Sequence, residues 1–170
     1  MKRLVSLLFV LILTVIGCAC AWAEDVPSIA GSNAYDITVS LENYGFKKDA
    51  RQDFDSWGYQ FTGKNTSMDA TYNIIALKDS YEIVDATFSI VSDSVDNGYL
   101  WFCSTMPFDK ADAETSSEFV KSCLKKSEEA TIKIGDAEFI FTPNETGGGM
   151  LRIDAVGYDD WCMDQIFGAM

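Results

Sequence analysis

The side chains able to do chemistry are unevenly supplied in this chain. Among its 170 residues there is no histidine, while 26 Asp and Glu stand against 13 Lys and Arg. Without imidazole, Ser-His-Asp and Cys-His nucleophile systems, histidine-containing zinc sites and imidazole proton shuttles are excluded. Carboxylates remain for acid–base work, and they gather as Asp53 with Asp55, as Asp109 with Asp112 and Glu114, and as Asp159 and Asp160 with Asp164. A glycoside hydrolase needs two such groups, one protonated and one ionised, about 5–10 Å apart across a cleft. Linear order does not set that distance. Calcium would need a regular Asp-x-Asp-x-Asp-Gly loop; Asp93-Ser94-Val95-Asp96-Asn97-Gly98 comes nearest, misses the spacing and reads as a helix cap. No catalytic residue, metal ligand or cofactor is assigned.

The candidate binding residues are aromatic. Trp57, Tyr59 and Phe61 alternate, which puts all three rings on one face of a strand. Strand spacing accounts for them as core packed under helices; left uncovered, they would make a flat platform on which a sugar stacks. Gly147-Gly148-Gly149 is no phosphate loop, because no Lys-Ser/Thr follows it, and it reads as a hinge or hairpin tip. Asn65-Thr66-Ser67 and Asn144-Glu145-Thr146 fit the glycosylation sequon but fall in expected loops, where Asn and Thr are common anyway. Cys162 sits beside Trp161 among Asp159, Asp160 and Asp164, surroundings that disfavour a nucleophilic thiolate.

The first residues give an address. Lys2 and Arg3 precede an apolar run from Leu4 to Ile16, and Ala21-Trp22-Ala23 supplies a small-x-small ending. This is the form of an export signal over residues 1–23, too short for a spanning helix of roughly 20 apolar residues. Val15-Ile16-Gly17-Cys18 also resembles the lipobox of bacterial lipoproteins, which makes Cys18 the candidate lipidation site. Cleavage after Ala23 leaves one domain over residues 24–170, with 11 basic against 26 acidic residues and a net charge of −15. Such a surface repels phosphate backbones, so nucleic acid is not an expected partner, and a membrane is one only through a lipid anchor. Beyond the signal lie Cys103, Cys123 and Cys162, in a compartment where disulfides persist. A Cys103–Cys123 bridge would close a loop of about 20 residues and stabilise by roughly 3 kcal/mol; two buried free thiols fit the apolar neighbours equally well.

Periodicity then supplies the elements that must position these groups. Ser32 to Tyr44 places Ala34, Ile37, Leu41 and Tyr44 at helical spacing, with Ser32 as cap and Gly45 past the end. Three strand-like runs follow, Trp57 to Gly63, Met68 to Leu77 and Glu82 to Val91, with a tight turn at Lys78-Asp79-Ser80. The second half opens on a short helix from Asp96 to Pro107 and a second helix whose Thr115-Ser-Ser-Glu118 has the form of a capping box. Three more strands come at Ala130 to Ile134, Ala137 to Thr142 and Met150 to Val156, the first pair joined by Gly135-Asp136 and the last by Thr146 to Gly149. A closing helix from Asp159 to Phe167 turns Trp161, Cys162 and Ile166 inward. The fold class expected is α+β: two helix-plus-three-strand units sharing one mostly antiparallel sheet covered by helices. That order of elements resembles small exported α+β modules built from tandem helix-plus-meander units, some of them enzyme inhibitors, although no motif carries residues across. The function expected is an exported, non-catalytic envelope or secreted binding protein, its partner a protein or glycan at the cell surface. The alternative is a carboxylate-dependent hydrolase of surface glycans, with Trp57 and Tyr59 as its platform.

Overall fold

A computed structural model of the chain describes residues 26–92, 98–106 and 112–167. The export signal, Cys18, Asp93 to Asn97, Pro107 and Asp109 lie outside the described residues. The protein is α+β. In chain order its elements are α1 (Ala34–Asn43), β1 (Lys47–Lys48), β2 (Gln52–Phe54), β3 (Gly58–Asn65), β4 (Ala70–Leu77), β5 (Ile83–Ser92), α2 (Gly98–Ser104), α3 (Ala113–Lys126), β6 (Ala130–Ile134), β7 (Ala137–Pro143), β8 (Gly147–Ala155) and α4 (Tyr158–Phe167). The eight strands form one sheet, in which β1 and β2 share the outer edge of β3 and the order continues β3-β4-β5-β8-β7-β6. Every pairing is antiparallel. The meanders β3-β4-β5 and β6-β7-β8 thus meet through their third strands.

Alternation along the strands separates two faces. Phe61, Tyr72, Ile74, Ala86, Phe88, Leu151, Ile153, Phe139 and Phe141 share one face and are all buried. Three helices contribute to that core. Ala34, Ile37 and Leu41 of α1, Tyr99, Leu100 and Cys103 of α2, and Val120 and Cys123 of α3 join the same cluster. Tyr99 also satisfies its hydroxyl across the core, donating to the Thr71 carbonyl at 2.9 Å. The opposite face carries Gln60, Asn73, Thr71, Ser89, Thr87 and Arg152. These pair laterally: Gln60 Nε2 donates to Asn73 Oδ1 at 2.8 Å, and the Thr71 and Ser89 hydroxyls lie 2.7 Å apart. Both rims of the sheet are short or charged. One is broken into β1 and β2 with Lys47, Lys48, Gln52 and Asp53 exposed, and the other is β6 with Thr131 and Lys133 exposed.

The helix starts differ from the sequence reading, for local reasons. Asn33, not Ser32, caps α1: it is extended and its side chain accepts from the Tyr35 N–H at 2.9 Å. Ser32 is buried instead, donating to the Ile29 carbonyl at 2.6 Å and accepting from the Ile83 N–H at 2.8 Å, and so ties the lead-in of α1 to β5. No capping box forms at Thr115. Asp112 caps α3, accepting from the Glu114 N–H at 3.1 Å and the Thr115 hydroxyl at 2.6 Å, bonds that hold its carboxyl below the usual carboxylate range.

Two further expectations are corrected, and an open choice is described. Gly147 to Gly149 is no hairpin tip; it lies within β8, with Gly147 opposite Ser92 and Gly149 opposite Ile90. A Cβ on Gly148 would come within 2.3 Å of the Ile90 carbonyl oxygen, and one on Gly149 within 2.8 Å of the Phe141 ring, so these two are glycine because neighbours fill the space, while Gly147 takes a left-handed backbone at φ 91°. Cys103 and Cys123 are buried free thiols in this structure, facing the apolar core from α2 and α3, where burial pushes both upward from the ordinary thiol range. Ile166 does not turn inward and is 62% exposed.

Candidate binding groove

The groove is built by one tight loop and one helix. Phe54 of β2 pairs with Gly58 of β3, which leaves Asp55-Ser56-Trp57 as a three-residue hairpin loop. Asp55 takes a left-handed backbone conformation (φ 58°), and its Oδ1 accepts from the Ser56 N–H at 2.6 Å. Gly58 lets the strands close, since a Cβ there would sit 3.1 Å from the Phe54 carbonyl oxygen and 3.3 Å from that of Ala76. The loop presents two rings, Phe54 and Trp57, meeting edge to face with centroids 5.4 Å apart at 76°.

The facing wall is α4. Gly157, at φ +89°, reverses the chain after β8, and the first turn of α4 is held by Asp159, whose Oδ1 accepts from Arg152 Nη2 at 2.9 Å. Tyr158 is the one buried side chain of α4, and its ring stacks on Trp161 at 6.1 Å and 14°. Trp161 then meets Trp57 across the gap, centroids 5.6 Å apart at 85°. The space so enclosed is about 470 Å³ and is lined by Phe54, Asp55, Trp57, Tyr158, Trp161 and Ile166, among others. Beyond it α4 leaves Met163, Ile166 and Phe167 more than half exposed.

Beneath the start of α4 lies a charge cluster that sequence reasoning missed. Asp85 of β5 and Asp154 of β8 are direct cross-strand partners on the face opposite the core, and both are buried. Two like charges opposite one another are unfavourable. Arg152 resolves this by donating from Nε to Asp85 Oδ2 at 2.7 Å, with Asp154 Oδ1 3.0 Å from the same nitrogen and Asp159 on its other arm. Burial, and after it the Asp85 carboxylate alongside, push Asp154 up to about 9, so the Asp85–Asp154 pair holds on to a proton well above the usual carboxylate range. The signal was three polar residues at outward positions of otherwise apolar strands, and it becomes visible only once the β5–β8 register is known.

The sequence-proposed residues are divided among three environments. Phe61 is core, its ring 5.5 Å from that of Tyr35 of α1. Tyr59 is half-buried in a tyrosine cluster with its face occupied: the Arg51 guanidinium lies 4.0 Å over the ring while donating to the Tyr35 hydroxyl at 2.7 Å and the Tyr81 hydroxyl at 3.3 Å. Only Trp57 reaches the groove. Tyr59 and Phe61 share one side of β3, covered by Arg51 and by α1, but Trp57 does not belong to that strand: it sits in the hairpin loop before Gly58 and meets Trp161 instead.

The acidic clusters are likewise not brought together as a facing pair. Asp53 pairs with Lys78 at 3.1 Å, Asp112 caps α3 and Asp159 holds Arg152. Asp55 alone of these lines the groove. The sequon asparagines are structural: Asn65 accepts from the Ser67 and Met68 N–H groups, and Asn144 donates at 3.0 Å to the Ile90 and Val91 carbonyls. Among the described residues, no three acidic or thiol groups converge as a metal site, and no helix is long and apolar enough to cross a membrane. Comparison of the chain with family models, with curated proteins and with solved structures finds no match.

Proposed function

We propose that this chain is an exported binding protein of the cell envelope or extracellular space, acting without turnover, and that the groove between the Asp55 to Trp57 loop and α4 is its binding site. The observation that carries this reading is the Trp57–Trp161 pair: two indoles, each half-buried, standing at 85° beside about 470 Å³ of open space. Burying both fully would stabilise the fold more than leaving them at a groove. The basic-then-apolar leader ending at Ala23, the −15 charge of residues 24–170 and the missing histidine support export and recognition in place of nucleophilic chemistry. Partners are a protein or glycan at the cell surface; nucleic acid is disfavoured by charge, and Cys18 offers a lipid anchor. Architecturally, we read α1 with β3-β4-β5, and α2 and α3 with β6-β7-β8, as two helix-plus-meander units.

The rival reading, a carboxylate-dependent hydrolase of surface glycans, draws no support from a carboxylate pair spanning the groove. The test is a panel of glycoside, ester and peptide substrates offered to the exported protein. No turnover is expected. Turnover that Asp55→Asn abolishes would replace binding with catalysis, and full-length chain found in the cytosol with Met1 attached would remove the export premise.

A further inference from the structure

The geometry points to a ligand class for this groove: we infer that it binds a small organic cation of the quaternary ammonium type. The inference rests on the groove being a binding site, as proposed above, and deepens it. A sugar stacks on a flat, open ring face. Here the rings stand at steep angles, Phe54 to Trp57 at 76° and Trp57 to Trp161 at 85°, which makes corners in which two π faces converge. Converging π faces suit a compact cation, which is drawn to the negative face of each ring and has no hydrogen-bonding edge to satisfy.

Charge complementarity agrees. Asp55 lines the groove, no basic side chain among the described residues lines it, and the α4 wall carries Asp160 and Asp164 outside the lining with no basic residue. Arg152 is committed to Asp85, Asp154 and Asp159, and Lys78, which also donates to the Asp55 carbonyl at 3.1 Å, to Asp53. The chain shows the same preference elsewhere with its own side chains. Arg51 lies over Tyr59 at 4.0 Å and Lys121 over Trp101 at 4.7 Å. Among the described residues no basic side chain lies over Phe54, Trp57, Tyr158 or Trp161. Tyr158 and Trp161 stack on each other, so it is their outer faces, with those of Phe54 and Trp57, that no cation of the described residues takes. The space exceeds what a trimethylammonium head needs, so the ligand carries a further group along the apolar wall that Ile166 provides.

The test is a titration of the exported protein with choline, followed by the indole N–H resonances of Trp57, Trp101 and Trp161. Trp57 and Trp161 are expected to shift and saturate while Trp101, already under Lys121, stays still. 3,3-Dimethylbutanol, the uncharged isostere of choline, is expected to bind at least about tenfold more weakly. Asp55→Asn should weaken choline severalfold, and Trp161→Leu, which keeps an apolar side chain against Tyr158, about tenfold or more. Equal binding of choline and its neutral isostere would overturn the cation and leave an apolar groove. Shifts caused by a chito-oligosaccharide and not by choline would overturn the inference while the binding reading stands. Silence of both indoles toward all three ligands would overturn both.

Discussion

The two faces of the sheet are held by different physics. The helix-covered face is uniformly apolar, with Phe88, Phe139, Phe141, Leu151 and Ile153 all fully buried. The other face is stitched by specific polar pairs, Gln60 with Asn73, Thr71 with Ser89 and Arg152 with Asp85. The first gains from area removed from water and tolerates little loss of volume. The second gains little from each pair and depends on whether a partner is left uncompensated. Stability therefore resides mainly under α1, α2 and α3, while the charge cluster anchors the start of α4.

Substitutions can break this contrast in order of severity. Phe139→Ala removes a fully buried ring and is expected to cost about 4 kcal/mol, read as a lower urea midpoint. Gly148→Ala forces a methyl against the Ile90 carbonyl and is expected to cost roughly 3 kcal/mol in the same assay, an effect a hairpin-tip glycine would not show. On the polar face, Arg152→Met leaves Asp85 and Asp154 opposed with no cation between them. Because Arg152 is 29% exposed, the expected loss is nearer 2 kcal/mol than the full cost of breaking a buried pair. Arg152→Lys is not expected to restore it, since one ammonium cannot serve three carboxylates in a fork.

Asp154 adds a pH signature. Burial beside Asp85 pushes its carboxyl up to about 9 from an ordinary 3.8, so between those limits the folded Asp85–Asp154 pair holds a proton that the unfolded state has released. Its contribution is fully present below about pH 4 and is lost as pH rises through about 9. Urea midpoints should decline across that window from this group, and Asp154→Asn should flatten the decline; an unchanged slope would show that the proton resides elsewhere. The smallest effect is expected at Thr71→Val, which removes one exposed hydroxyl pair and should stay within about 0.5 kcal/mol.

What the sequence revealed divides along the same line. Periodicity located the helices and six main strands to within a few residues, because an apolar face repeats at 3.6 or 2.0 and the core enforces it. Gly135-Asp136 was legible as a two-residue loop for the same reason: the strands on either side are in register, with Ile134 opposite Ala137. The caps were less legible, since Asn33 and Ser32, or Asp112 and Thr115, are chemically alike as acceptors and the choice between them is tertiary. Ser32 was taken by Ile29 and Ile83. The short strands β1 and β2 carry too few residues to show a period. The glycine run misled because glycine marks turns and close approaches equally. The groove was half legible. Trp57 was singled out, but its partner Trp161 lies 104 positions away, and nothing local joins them.

The rims of the sheet carry one more consequence. A long unpaired strand invites a stranger's backbone to zip onto it. Here one border is cut into fragments of two and three residues, and the other is five residues long with alternate side chains in water. Growth by edge-on strand addition finds no long, flat border to begin on, so this sheet is built to remain a finished object.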